Sequence, residues 1–487
     1  MTPKPWSDTP AAAQPWLAQH PVAAWLALAA VAVIVALGAN LSRGLLETTE
    51  GRYVLCAQEM LQSGQWLEPT LDGKPHWTKP PLTYWVLAAG MAVAGQMEEG
   101  ARLAQAVVFW ALLGAVGVLA RQWGDGRYAF WAVVGTLTAL LPLLGVTFVS
   151  TDLLLTLWET LAIACYAASL VRSRPQVWRA WMGLFWGLAF LTKGPPALLP
   201  LAALVPWHWW YHRRRPFFSV AGLALFGVVG LGWYAFEALR HPELVSYWLG
   251  QEVAARLASD AFHRNPQWWK PFVMYLPLLA AGPMPWILAV RLPARQWWEA
   301  IPRPWGTLLL LWVAIPLGVF FVAKSRLPLY VLPLAIPVAL ACAFALTQAR
   351  VSPKATIAVV ATVAILGVGA RLALTYVPLS ANMRQLFSIV QGYAPQEVVL
   401  VGEKPCYGLQ AYAAWEGISF QRIKAADMPS FEAAALGRVF VTEQKQAALV
   451  QGRLEKDGSA CNTTSWAQWA VIAQTPTPPA PEGSGRK

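Results

Sequence analysis

The chain returns again and again to stretches that lack charge for about the length of a bilayer. Val22 to Leu41 contains no Asp, Glu, Lys or Arg, and a helix of that length reaches across the ~30 Å hydrocarbon core of a membrane. Comparably apolar runs cover 103–120, 128–147, 151–171, 177–192, 195–211, 217–237, 271–290, 305–322, 328–347 and 355–376. Inside lipid every backbone N–H and C=O must be bonded within its own segment, so such runs specify helices. The expected fold class is therefore an all-α polytopic membrane protein with eleven transmembrane helices. The first run is too long for a signal-peptide core and no small-residue cleavage site follows it, so it reads as a retained span.

Composition agrees. Of 487 residues 57% are hydrophobic and 13% charged, against roughly 25% charged in soluble chains. A net charge of +12 would suggest nucleic acid in a soluble protein. Here the basic residues gather in short loops between spans, namely 121–127, 171–179, 212–215, 291–295 and 348–354, as the positive-inside rule requires of cytoplasmic loops. No nucleic-acid partner is expected, and with no glycine-rich phosphate loop no nucleotide either.

Those loops share one side only if the marginal apolar stretch Pro81 to Gly95 does not cross. It is expected to lie in the outer interface, with Tyr84 and Trp85 as anchors. The resulting topology has its N-terminus inside and its C-terminus outside. It sends 42–102, the turn ending at Asp152, 192–195, 238–270 and 324–328 to one outer face. One face gathering the unusual polar clusters is what a single active site assembled from loops requires.

The expected domains are a transmembrane catalytic domain 1–376, with 42–102 its first outer loop carrying interfacial helices, then an extracytoplasmic α/β domain 377–474 and a disordered tail 475–487. The α/β reading rests on alternating β-like and helix-like runs such as EVVLVGE and YGLQAYAAWEG. Cys406 and Cys461 both fall there, where a disulfide would be allowed outside the cytoplasm.

Several polar residues stand out. Glu47, Glu50 and Arg52 sit at the mouth of the first span; they form either an ordinary loop ion pair or a general base whose pKa burial and arginine tune. Asp152 is either a helix-start acid favoured by the macrodipole, capped by Ser150 or Thr151, or a second catalytic acid. Lys193 in LTKGPPALLP stands at a proline-enforced helix break. Lys79 in TKPPL, and Lys324 and Arg326 with Tyr330 in AKSRLPLY, repeat that context. Each lysine or arginine alone could snorkel to the interface; together they suggest an anionic-headgroup site bordered by lipid. Glu252 and Arg256 have the spacing of a helix salt bridge. His263 lacks a spaced partner, which makes it weak as a metal ligand.

The stretch ETTEGRYVLCAQEMLQSGQWLEPTLDGKPHWTKPPLTYW, Glu47 to Trp85, resembles the first outer loop of the protein mannosyltransferase-like GT-C superfamily, and in particular of bacterial lipid A aminoarabinose transferases. The segments 150–159, 188–198, 247–263 and 320–333 are similar to further motifs of the family in the same order. The resemblance implies a GT-C fold in the bacterial inner membrane, with active site and C-terminal domain facing the periplasm. It implies transfer of a sugar from a polyprenyl (undecaprenyl) phosphate donor to lipid A, another lipid, a glycan or a protein, with inversion. Carried over, Glu47 or Glu50 is the loop acid and Asp152 the second acid. Arg52, Lys79, Tyr84, Lys193, Arg256, Lys324, Arg326 and Tyr330 line the donor phosphate and lipid. Thr49 stands where the aminoarabinose transferases have Asp, which leaves the choice between Glu47 and Glu50 open. Thr78 stands where they have a Glu that helps bind a divalent metal, leaving His263 and His76 to hold one. The other class that needs many spans and charges is a transporter or lipid flippase. Its charges cluster near the midplane, often with inverted repeats, whereas here they gather at one face.

Overall fold

The computed structural model describes residues 15–475 apart from 48, 291–294, 296–298, 300, 432–436 and 457–459. Most of the basic loop 291–295 and nearly all of the tail 475–487 thus lie outside the described residues. Contacts divide the chain into two units, Met1–Leu41 with Ser63–Arg371, and Ser42–Gln62 with Leu372–Lys487.

The first unit is helical. Among the described residues six helices are long and apolar enough to cross a membrane: Met97–Trp123, Asp152–Val171, Val220–Arg240, Arg303–Val322, Pro328–Gln348 and Pro353–Tyr376. A seventh counts if Gly126–Thr138 and Leu140–Thr147 form one span bent by 58°. About eleven spans were expected, and several of the expected runs are bent, broken or short for local reasons. At the bend, Thr136 and Thr138 donate their hydroxyls to the carbonyls of Ala132 and Val134 at 2.8 and 2.9 Å, and Ala139 is extended; hydroxyl back-bonding of this kind bends helices. The expected span 271–290 is two helices, Lys270–Ala280 and Met284–Val290, parted at Ala281–Pro283. Pro21–Leu37 is shorter than its apolar run.

The stretch after Pro80-Pro81 forms the helix Leu82–Ala94, about 20 Å long at 1.5 Å per residue and so too short to cross. Tyr84 differs from expectation: it is 0% exposed, buried in the protein instead of anchoring at a surface. Trp85 donates its indole N–H to Trp66 O at 2.7 Å.

In the second unit β3 (Glu397–Val401) pairs in parallel with β4 (Ser419–Ile423) and β5 (Arg438–Glu443). The antiparallel hairpin of β6 (Ala460–Trp466) and β7 (Trp469–Thr475) extends the sheet through β7 on β5, giving the order β4-β3-β5-β7-β6. The remaining strands, β1 (Thr70–Leu71) and β2 (Lys74–Pro75), make a small hairpin in the first unit. All five cysteines are free. Cys406 contacts the Met383 thioether at 3.1 Å instead of reaching Cys461, which lies on the edge strand β6.

The segment Ser42–Gln62, read from sequence as part of the membrane domain, groups with the C-terminal residues. Glu47 N donates to Ala381 O, Met383 N to Leu45 O, and Leu45 N to the Tyr412 hydroxyl. Gly51 allows the backbones to close up, since a Cβ there would lie 2.3 Å from Gly408 N.

Candidate active site

Asp152 opens its helix because Ser150 Oγ accepts the Asp152 N–H at 3.2 Å, satisfying a donor of the first turn. Lys193 ends the helix Pro175–Lys193 at Gly194, whose φ is +73° and where a Cβ would lie 2.7 Å from the Tyr234 hydroxyl. Only glycine fits that turn. Pro195-Pro196 then begins a short 3₁₀ turn. These two helix ends bring Lys193 Nζ into an ion pair with Asp152 Oδ1, each side chain 7% exposed. The ammonium also stands 4.5 Å from the centre of the Tyr330 ring, within cation–π reach.

Glu159 lies on the same helix as Asp152, in electrostatic reach of both Asp152 and Lys193. It is 2% exposed, and its Oε2 has no hydrogen-bond partner. The sequence reading passed over it, yet STDLLLTLWE carries the signal: a carboxylate two turns after Asp152 returns to the same helix face inside an apolar run. A cleft walled by Leu155, Pro196, Leu199, Pro200, Pro316, Phe320, Pro333 and Leu334 closes on Glu159, Lys193 and Tyr330.

A second ion cluster adjoins it electrostatically. Lys79 Nζ is 3.0 Å from Glu252 Oε2, and Arg256 holds the same carboxylate through two bonds of 3.1 and 2.7 Å. Burial pushes the Lys79 ammonium down to about 8; Glu252 opposes this, while Arg256 and Lys193 add to it. Burial raises the Glu252 carboxyl, but Lys79 and Arg256 outweigh it and hold the group below its ordinary value. Arg256 also lies 4.3 Å from the Phe262 ring.

Lys324 and Arg326 serve this loop differently. The amides of Lys324 and Ser325 donate to Arg256 O, while the Lys324 side chain is exposed. Arg326, 2% exposed, gives its guanidinium to the carbonyls of Phe320, Phe321, Asn265 and Gln267 at 2.8–3.2 Å. In this arrangement it ties strands of backbone together instead of presenting charge to a ligand.

The first-loop acids belong to the second unit. Glu50 is gripped by Arg43 through two bonds of 2.8 Å and accepts the Leu46 N–H at 2.8 Å. Glu47 Oε2 accepts the Gly408 N–H at 2.6 Å, and Oε1 is buried without a hydrogen-bond partner. Burial raises the Glu47 carboxyl to about 7, against the lowering pull of the Gly408 and Tyr407 amides and of Arg52. Arg52 lies 5.7 Å from the Tyr53 ring.

Among the described residues, neither histidine named from sequence joins a group of three potential metal ligands. His263 is exposed with a positive φ of 49° and pairs with Asp260 at 3.3 Å. His76 follows β2, its amide bonded to Pro69 O. Thr78 offers a hydroxyl, 3.4 Å from that of Tyr247, and no carboxylate. These residues do not fit a divalent ion.

Residues 78–236 match the family described as dolichyl-phosphate-mannose-protein mannosyltransferase. The chain is 30% identical over 308 residues to undecaprenyl phosphate-alpha-4-amino-4-deoxy-L-arabinose arabinosyl transferase 1 of Pseudomonas fluorescens, a match covering 61% of this chain and 55% of that protein. It is 34% identical over 328 residues to the transferase 1 of the same name in Sodalis glossinidius, covering 65% and 58%. The chain thus spans little more than half the length of these curated relatives. Among solved structures, ArnT from Cupriavidus metallidurans bound to undecaprenyl phosphate has a TM-score of 0.75 at 18% identity, over 93% of this chain and 98% of that one. The arabinofuranosyltransferase AftD from Mycobacteria gives 0.54 at 12%, over 93% and 40%. At such identities the likeness speaks for the fold. The chain is thus similar to the mannosyltransferase family over residues 78–236, and it shares the fold of the solved ArnT.

Proposed function

We propose that this protein is a glycosyltransferase of the bacterial inner membrane. It moves a sugar from a polyprenyl-phosphate donor, undecaprenyl phosphate in the relatives' names, to a lipid, glycan or protein acceptor on the periplasmic face, lipid A being the acceptor implied by the resemblance. The eleven-passage topology, with the C-terminal unit outside, is part of this proposal. The observation that carries it is the buried Lys193, set at a helix break over the Tyr330 ring and among prolines and leucines. A cation held in apolar surroundings at a helix break suits an anionic headgroup bordered by lipid.

In the reaction, the acceptor hydroxyl oxygen attacks the anomeric carbon. The bond from that carbon to the phosphate oxygen breaks, its electron pair leaves on the phosphate, and the hydroxyl proton passes to a carboxylate. Lys193 and Lys79 meet the charge growing on the phosphate, the kind of contact that strengthens in the transition state. Asp152 aims Lys193, and Glu252 with Arg256 aims Lys79. Within the second unit, Glu47 has the chemistry of a proton acceptor, with a carboxyl raised to about 7 and one oxygen without a hydrogen bond. Glu50 is committed to Arg43. The donor's own phosphate ester supplies the driving force, so no nucleotide takes part.

The test is Lys193→Ala in the purified, membrane-reconstituted protein. Transfer from a polyprenyl-phosphate-linked sugar should be abolished while folding and insertion persist. Wild-type rates in that variant would remove the phosphate role and with it the reading.

A further inference from the structure

Among the described residues, one group of three potential ligands converges, and it is not the one the sequence suggested. Ligand atoms of Glu68, Glu237 and His241 all lie within 4.8 Å of one another. Glu237 and His241 are one turn apart at the end of the helix Val220–Arg240, where His241 N donates to Glu237 O at 2.8 Å. Glu68 comes from the first loop, fixed by the Trp233 indole N–H on Leu67 O at 2.7 Å. A second indole, Trp248, binds Trp77 O at 3.0 Å. The loop is thus pinned on both sides of Glu68 and its hairpin.

The observation that points to a ligand is Glu237. It is 0% exposed, yet neither carboxylate oxygen has a hydrogen-bond partner. The Trp77 indole N–H interacts with it from just outside hydrogen-bond geometry. A buried carboxylate with both oxygens unmet is costly. Natural structures resolve such cases with a proton, a partner or a metal. The neighbouring charges leave an acidic excess. Arg240 reaches Glu68 at 3.6 Å from a half-exposed side chain, and Glu243 lies 3.7 Å from His241 Nδ1.

We propose that Glu68, Glu237 and His241 form a divalent metal site that takes Zn²⁺. Two carboxylates and an imidazole are a zinc donor set, with water completing four-coordination, and the imidazole disfavours Mg²⁺, which demands oxygen ligands. The ion staples the first loop to the segment 232–256. Lys79 lies on one side of that staple and its partners Glu252 and Arg256 on the other, so the ion positions the lysine cluster without touching the substrate.

The experiment is a Zn²⁺ titration of the full-length protein in detergent after chelator treatment, read by calorimetry, with hydrogen exchange of residues 65–79 as a second readout. Wild type should bind one equivalent and protect the loop, Mg²⁺ should not compete, and His263→Ala should bind as wild type does. Glu237→Gln and His241→Ala should each lose about 100-fold or more in affinity. Glu68→Gln on the loop serves as the third variant if a helix variant fails to fold. No saturable equivalent in wild type, retained affinity in Glu237→Gln or in Glu68→Gln, or loss only in His263→Ala would overturn the site. Because the readouts are binding and exchange, the result stands apart from whether the protein transfers sugar.

Discussion

Removing the cation of the Asp152–Lys193 pair does two separable things. Both side chains are 7% exposed, so Lys193→Met leaves a buried carboxylate without its partner, a change that costs about 3–5 kcal/mol. Asp152 stands in the first turn of its helix, where the macrodipole recovers about 0.3–1 kcal/mol, so the lower end, about 3 kcal/mol, is expected. Asp152→Asn alone strands the ammonium and should cost a similar amount. The double variant Asp152→Asn/Lys193→Met removes both charges, and its stability should return to within about 1 kcal/mol of wild type, giving a coupling of several kcal/mol. Transfer should behave differently. If Lys193 meets the leaving phosphate as proposed, Lys193→Met and the double variant should both lose about 10²–10³-fold in rate. Unfolding in detergent followed by the fluorescence of the 28 tryptophans gives the first quantity, and release of polyprenyl phosphate the second. A double variant that regains activity with stability would show the pair to be structural only. A stable Lys193→Met single variant would refute the buried-pair argument itself.

The alkaline limb of the pH–rate profile should fall through about 8 as Lys79 loses its proton. Lys79→Arg should keep the alkaline rate, and a falling alkaline limb in that variant would reassign it. Stability should carry a Glu47 signature. A carboxyl raised from 4.5 to about 7 in the folded state favours folding at low pH, and that contribution, about 3 kcal/mol, is lost as pH rises through 7. Wild type should therefore lose stability between pH 5 and 8 relative to Glu47→Gln, and parallel curves would contradict the burial of this group. Arg326→Ala should destabilise by about 3 kcal/mol or more by leaving buried carbonyls unmet while donor affinity in the folded fraction stays within about twofold, measured by donor titration. Glu50→Gln should cost about 3–5 kcal/mol in unfolding midpoint measurements, because the Arg43 guanidinium is left buried and half-paired.

Much of the membrane unit is legible locally. Apolar runs mark helices, Lys-Gly-Pro-Pro marks the break at which the buried Lys193 sits, and Ser-Thr-Asp marks the helix start that presents Asp152. Lys79 and Arg256 are visible as cations in unusual contexts, but their shared hold on Glu252 is a contact across 173 and 4 positions respectively. The longer of these no local pattern encodes. Arg326 misleads for the same reason. In sequence it is one more cation beside prolines, and only the fold brings four carbonyls to it. Glu47 and Glu50 look equivalent on paper, and the difference between them arises from Arg43 and Gly408, the latter 361 positions away from Glu47. Glu237 and His241 read as the polar end of a span until Glu68 arrives from the first loop.

The central claim is that this chain cleaves a polyprenyl-phosphate-linked sugar in order to glycosylate an acceptor. The direct measurement is mass spectrometry of lipids after the reconstituted protein meets an undecaprenyl-phosphate-linked aminosugar, with and without lipid A. The account predicts that free undecaprenyl phosphate and glycosylated acceptor appear together in equal amounts, and that neither forms in Lys193→Ala. A donor carried across the bilayer intact, with no free undecaprenyl phosphate released, would contradict it and make the protein a transporter.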